Sequence, residues 1–242
     1  MTEPIRIAMW SGPRNISTAM MRSFGARADC AVSDEPFYGA FLKDSGERHP
    51  MAAEIIENME CDWHRVLAQQ SGSSPDNAPV WYQKHMPHHM VGPVDINDMP
   101  EHRHAFLIRA PERVVASYRA KNELEHPDAL GFRRLRTYFD EVTQRTGTTP
   151  VVIDSDAILQ DPAGKLEALC RGLDIRWDQA MLSWEKGPHP DDGIWEAHWY
   201  DKVNASTGFG RAPGHLPELE GAYREVADAC REDYEALLAH AL

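Results

Sequence analysis

The sequence predicts a three-layer α/β fold, an αβα sandwich around a parallel sheet. Short apolar runs alternate with helical patterns, the arrangement that builds βαβ units. Each run stops at residues that end a strand or open a helix. The C-terminal stretch adds a long apolar stripe at three- and four-residue spacing.

Ile5 to Trp10 is the first strand candidate and ends in Ser11-Gly12-Pro13, where a helix cannot continue. Ser17-Thr18 then opens a helical stretch, STAMMRSFGARA. Cys30 to Asp34 is the second strand, closed by Glu35-Pro36. Val80 to Gln83 is the third and runs into Lys84-His85-Met86-Pro87. Ala105 to Ile108 is the fourth and reaches Arg109 and Pro111, a residue suited to a first helical turn. Val151 to Ile153 is the fifth. Helical patterns fall at about 51–71, 111–122, 131–146 and 162–172. The stretch 186–216 is rich in loops yet carries Trp195 and Trp199, so it reads as a lid rather than a solvated linker. Leu219, Tyr223, Val226, Cys230, Tyr234, Leu237 and Ala241 mark a final amphipathic helix over 217–241. The expectation is one domain spanning 1–242.

The chain has 242 residues, 42% hydrophobic and 26% charged, which excludes collagen-like, coiled-coil and wholly disordered classes. Its 38 acidic and 25 basic residues give a net charge of −13, repelling nucleic acid and anionic membranes, so neither is an expected partner. A local basic cleft can still hold a small anion. No apolar run approaches the ~20 residues of a membrane span, and the start lacks a signal pattern. The four cysteines are scattered without a CxxC pair, as in a reducing compartment. These features predict a soluble, cytoplasmic protein and leave its oligomeric state open.

Three segments carry candidate chemistry. The first is IRIAMW-SGPRN-ISTAMMRSF, a strand, a turn and a helix. A helix N-terminus presents unpaired N–H groups and roughly half a positive charge, which suits phosphate or sulfate. Arg14 adds charge at its mouth, and Ser17 and Thr18 add donors. The Walker pattern GxxxxGK[ST] is absent. The bland alternative is a βα turn capped by Ser17.

The second is AFLIRAPERVVASYRAK, where Arg109 ends a strand at the edge that binds ligands in open α/β sheets, and Ser117 follows eight residues later. A guanidinium grips phosphate bidentately. Positions 103–145 hold nine Arg and Lys against six Asp and Glu, a basic stretch in an acidic chain, although Arg133, Arg134 and Arg136 fit a solvated helix face.

The third is VWYQKHMPHHM, which brings Lys84 and His85 to the same edge. Imidazole, with a pKa near 6.5, suits a general base, and an ammonium neutralises a leaving group. His85, His88 and His89 have no Cys or carboxylate at ligand spacing, and Pro87 breaks their register, so no metal is expected.

Together these segments resemble the sulfotransferase family, enzymes that use 3′-phosphoadenosine 5′-phosphosulfate (PAPS) and have a P-loop-like sheet. Members wrap the 5′-phosphosulfate with a basic-Ser-Gly-Thr-Thr loop after the first strand. Arg14-Asn15-Ile16-Ser17-Thr18 occupies that place here, with Arg14 for the basic residue and Ser17 and Thr18 for the threonines. Ile16 stands where the family has glycine, which puts a positive-φ position at risk. The family strand with Lys, a small residue, His, Leu and Pro is similar to Lys84-His85-Met86-Pro87, one residue shorter. That match implies His85 as base and Lys84 beside the leaving group. The family's 3′-phosphate pair, Arg and a Ser eight residues later, is matched by Arg109 and Ser117. VVIDSDAILQDPAGKLEALCRGLDI is similar to the fifth strand and its helix. The nearest counterpart of the late Arg-Lys-Gly loop is FGRAPG (209–214), with Arg211. The resemblance spans roughly residues 5–175.

Some members place a glutamate after the second strand, and Asp34-Glu35-Pro36-Phe37 looks similar, so Glu35 stands beside His85 as a candidate base. The resemblance implies metal-free sulfuryl transfer from PAPS to a hydroxyl or amine of a small-molecule acceptor. Trp195, Trp199 and Tyr200 are candidates for the acceptor pocket. Two other readings stay open: a P-loop phosphotransferase or hydrolase, with VVIDSD supplying a magnesium carboxylate, and a non-catalytic nucleotide-binding protein.

Overall fold

The computed structural model describes residues 3–120, 124 and 126–242. Among them one five-stranded sheet runs in the order β2-β3-β1-β4-β5, all neighbours parallel. The strands are β1 (Ile5–Ser11), β2 (Cys30–Asp34), β3 (Val80–His85), β4 (Arg103–Ile108) and β5 (Val151–Asp154). All five are the runs read from the sequence. β3 continues through Lys84 and His85, which therefore lie in the strand and not after it.

The helices are α1 (Ser17–Gly25), α2 (Tyr38–Ser45), α3 (Ala52–Asn58), α4 (Trp63–Gln70), α5 (Pro111–Tyr118), α6 (Phe132–Thr146), α7 (Ser155–Gln160), α8 (Pro162–Gly172), α9 (Glu196–Trp199), α10 (Asp201–Asn204), α11 (Gly221–Ala229) and α12 (Arg231–Leu238). The single helix expected over 51–71 is two, because Met59 is extended and Asp62 caps a new start by accepting from Arg65 N at 2.9 Å. The helix expected over 111–122 ends at Tyr118, and positions 121 and 122 lie outside the described residues. The final amphipathic stretch is likewise divided, with α11 and α12 meeting at Cys230. α2, which starts a short turn after β2, and α7, directly after β5, carried too few turns to show a period.

Side-chain alternation assigns the layers. In register with Trp10 of β1 stands His85, and in register with Met9 stands Lys84. Trp10 meets Tyr138 of α6 edge-on at 5.0 Å, and Phe106 of β4 meets Phe139 at 5.8 Å, so α6 covers that face. On the opposite face Tyr82 stacks on Phe24 of α1 at 4.3 Å. Successive residues of a strand point to opposite faces. Tyr82 and Lys84 therefore share the α1 side, while His85 shares the α6 side. β1, at the centre, is buried from Arg6 through Ser11, as a parallel strand covered twice requires. Among the described residues no helix is long and apolar enough to cross a membrane.

Candidate active site

A cavity of about 780 Å³ opens at the carboxyl ends of the strands. β1 lies between β3 and β4 there, so the chain order reverses at β1, the place where open α/β sheets bind ligands. Arg14, Ile16, Ser17, Thr18, Glu35, Lys84, Arg109, Ser117 and Arg211 all line it. The sequence reading is thus assembled in one place, apart from Asn15 and His85.

The loop after β1 is held by its backbone. A side chain at Gly12 would lie 2.3 Å from the Leu130 carbonyl, so only glycine fits that approach. Arg14 and Ile16 both adopt left-handed conformations, at φ 64° and 57°. Ile16 thus keeps the positive φ expected of a glycine, at the strain of a β-branched residue in that region, about 1–2 kcal/mol. The brace is Asn15: it is buried, donates from Nδ2 to the Leu107 carbonyl at 3.2 Å, and its own carbonyl accepts from Ser155 Oγ at 2.9 Å. Asn15 was expected to contact a ligand, but its side chain serves the sheet. α1 begins without a side-chain cap and without a carboxylate in its first turn, leaving its positive end toward the cavity.

Arg14 donates from Nε to Ser117 Oγ at 3.0 Å, and Arg109 donates from Nη1 to the Arg14 carbonyl at 2.8 Å. Burial lowers the pKa of both guanidinium groups, which stay charged all the same. Arg109 Nε lies 3.7 Å from Asp156 Oδ1 without a hydrogen bond, and Arg113 takes the other oxygen at 2.5 Å. Arg113 also donates to the Gly214 carbonyl at 2.5 Å, tying down the segment that carries the exposed Arg211. Of the VVIDSD carboxylates, Asp154 caps α7 through the Asp156 and Ala157 amides. Both are occupied by the protein itself.

At the other end stands a buried cluster. Lys84 Nζ donates to Asp34 Oδ1 at 2.8 Å, Glu35 Oε1 at 2.5 Å and Tyr200 OH at 2.7 Å. Tyr200 donates to Asp34 Oδ2 at 2.6 Å and accepts from Trp195 Nε1 at 3.1 Å. Burial disfavours the Lys84 ammonium, but the Asp34 and Glu35 charges outweigh it and hold its pKa well above the ordinary value. Glu35 sits at φ 44°. Its second oxygen is 3.6 Å from His89 Nδ1, in an imidazole that burial keeps neutral and that stacks on Tyr38 at 4.6 Å.

His85 is elsewhere. It is 1% exposed, stacks on Trp10 at 4.7 Å and bonds Gln83 Oε1 at 3.2 Å. The one-residue shortening explains this: at spacing two a histidine would share the face of Lys84, whereas at spacing one it takes the opposite face. Met86 holds the cavity-facing position instead. Sequence reasoning passed over Tyr38 and Arg113 and weighed His89 only as a metal ligand. The parity of β3, counted from Lys84, was the signal for Met86; nothing local marked the others.

The family described as "Sulfotransferase domain" matches residues 5–241. A curated relative from Arabidopsis thaliana, "Branched-chain-amino-acid aminotransferase-like protein 2", is 34% identical over 237 residues, covering 97% of this chain and 41% of that one. The chain thus spans about two-fifths of the length of the curated relatives it matches. A solved sulfotransferase domain from the curacin biosynthetic pathway superposes with a TM-score of 0.56 at 12% identity, covering 96% of this chain and 99% of that one. A sulfotransferase from Alicyclobacillus acidocaldarius gives 0.53 at 13% identity, covering 100% and 98%. At such identities these two show the fold alone.

Proposed function

The chain belongs to the sulfotransferase-domain family, and on that premise we propose that it transfers a sulfuryl group from PAPS to a hydroxyl or amine of a small-molecule acceptor. The observation that carries the reading is that one cavity gathers Arg14, Ser17, Thr18, Arg109 and Ser117 beside Lys84 and Glu35. The N-terminus of α1 carries no cap and no carboxylate of its own, which fits an anionic ligand.

When bound, the donor supplies an activated sulfuryl group on a phosphate leaving group. Arg109, Ser117 and Arg14 would hold its 3′-phosphate and so select PAPS over ATP. Ser17, Thr18 and the α1 N-terminus would hold the 5′-phosphosulfate. Lys84 would neutralise charge growing on the leaving phosphate, and Glu35 would accept the proton of the attacking group. By analogy with phosphoryl transfer through a loose transition state, positioning and neutralisation dominate. Arg211, exposed at the cavity, would reach the nucleotide from the rim. Tyr38, Trp199 and Met86 line the space beyond Glu35, where the acceptor would sit. We read the chain as one functional domain with 186–216 closing the cavity, and its four free cysteines as suited to the cytoplasm.

Calorimetric titration with adenosine 3′,5′-bisphosphate, beside ADP with and without magnesium, tests the reading. Binding of the bisphosphate in preference to ADP, without metal, is expected. A preference for ADP with magnesium would replace the reading with phosphoryl chemistry.

A further inference from the structure

Lys84 has no hydrogen left to offer. An ammonium carries three N–H donors, and here they meet Asp34, Glu35 and Tyr200 at 2.8, 2.5 and 2.7 Å. The side chain is 2% exposed. For this group to meet a leaving phosphate, one present partner has to be given up.

The three partners are not equivalent. Asp34 is 2% exposed on its side chain, takes a second hydrogen bond from Tyr200 at 2.6 Å and a third from the Gly193 amide at 3.2 Å. Tyr200 is buried, and its oxygen also accepts from Trp195 while its proton goes to Asp34. Releasing either leaves several buried polar groups unpaired, each at a cost of about 1–3 kcal/mol. Glu35 is different. Its side chain is 12% exposed, it lines the cavity, and its other neighbour, His89 Nδ1, stands at 3.6 Å, beyond a hydrogen bond.

We propose that donor binding exchanges the Glu35 partner of Lys84 for a donor phosphate oxygen, while Asp34 and Tyr200 act as positioning residues that keep the ammonium in place. The inference rests on the reading of the site as a PAPS site. No covalent bond changes; one N–H moves from a carboxylate oxygen to a phosphate oxygen. The carboxylate then comes free where the acceptor's proton must be taken. A donor-free site has its base masked, so the productive order is donor first, acceptor second. The segment 193–200 shares in this, because Gly193, Trp195 and Tyr200 fix Asp34 and the phenol from above.

The test is calorimetric titration of adenosine 3′,5′-bisphosphate into the full chain and into Glu35→Gln and Glu35→Asp. If the wild type fails to bind, the PAPS reading itself falls and takes the exchange with it. If it binds, both variants should bind about threefold to tenfold more tightly, the range set by one displaced hydrogen-bonded partner. The aspartate keeps the charge but is one methylene too short to reach Lys84. Tightening in Glu35→Gln alone would mean simple removal of a negative charge and would overturn the exchange, as would unchanged or weaker binding in both. A second measurement needs no substitution: with 13C-labelled glutamate, one carboxyl resonance of the wild type should move on adding the bisphosphate. A spectrum with no moving glutamate overturns it.

Discussion

Arg14 and Ser117, 103 positions apart in the chain, are joined by a hydrogen bond of 3.0 Å from Nε to Oγ. The bond ties the loop after β1 to the helix after β4, and the two motifs become one site because those strands are neighbours. Two hydroxyl lone pairs and one proton let Ser117 accept from Arg14 and still donate outward. Ser117→Ala is therefore expected to weaken binding of adenosine 3′,5′-bisphosphate about tenfold, the scale of a hydrogen bond to a charged group. Affinity for the analogue lacking the 3′-phosphate should stay nearly constant, and equal losses for both would remove the 3′-phosphate assignment. Arg109→Ala should weaken both ligands, since Arg109 also holds the Arg14 carbonyl.

The position of the base divides His85 from Glu35. His85 lies on the α6 side of the sheet, stacked on Trp10, whereas Glu35 lines the cavity. Glu35→Gln should lower turnover by about 10²–10⁴-fold, the scale of lost general-base catalysis. His85→Phe should lower the melting temperature while kcat stays within about twofold, since it alters core packing and no reacting group. A large fall in kcat for His85→Phe at full folding would return the base to His85.

What was legible follows from what is local. Strands showed because each is a short apolar run bounded by turn residues, and Arg109 and Ser117 showed because one strand–helix turn contains both. Ser17 and Thr18 showed for the same reason. Lys84 was legible as a position, but its partners were not: Asp34 and Tyr200 reach it from 50 and 116 positions away, and Trp195 acts on it through Tyr200. His85 failed for a physical reason that strand parity supplies once the strand's end is known. A motif read by identity, without counting faces, placed it wrongly. Ile16 is the converse case, where the residue type argued against a backbone conformation that the surrounding contacts nevertheless impose.

The pH dependence of stability has a definite sign. Burial lowers His102 to about 4 and His104 to about 3. The network assigns His104 a neutral ring that accepts from Trp10 Nε1 at its Nδ1 and bonds the Met99 carbonyl through Nε2. Above the unfolded value near 6.5, both states are neutral and these groups add no slope. Below it the unfolded chain takes up protons that the folded chain refuses, so stability falls with pH until the folded pKa is reached. Each such histidine removes about 1.4 kcal/mol per pH unit in that window. Melting temperature should therefore drop between pH 6.5 and 5, and His104→Gln should make the drop shallower. An unchanged slope in that variant would mean that His104 titrates normally in the folded state.

Ile16 tests whether the loop depends on its residue or on its surroundings. Its φ of 57° is the conformation a glycine would take freely, and it is enforced here by Asn15, clamped between the Leu107 carbonyl and Ser155, and by the entry into α1. If the contacts impose the geometry, Ile16→Gly leaves the binding loop unchanged. Bisphosphate affinity should then shift by less than about threefold, under about 0.7 kcal/mol. Stability changes through two opposed terms, relief of left-handed strain against loss of the buried part of the isoleucine side chain, which packs on the core. Asn15→Ala should do the opposite: it leaves φ at position 16 unsupported and should weaken the bisphosphate by more than Ile16→Gly does. If the glycine variant instead binds tenfold or more tightly, the isoleucine is distorting the loop, and the site would then be one that has drifted from its nucleotide.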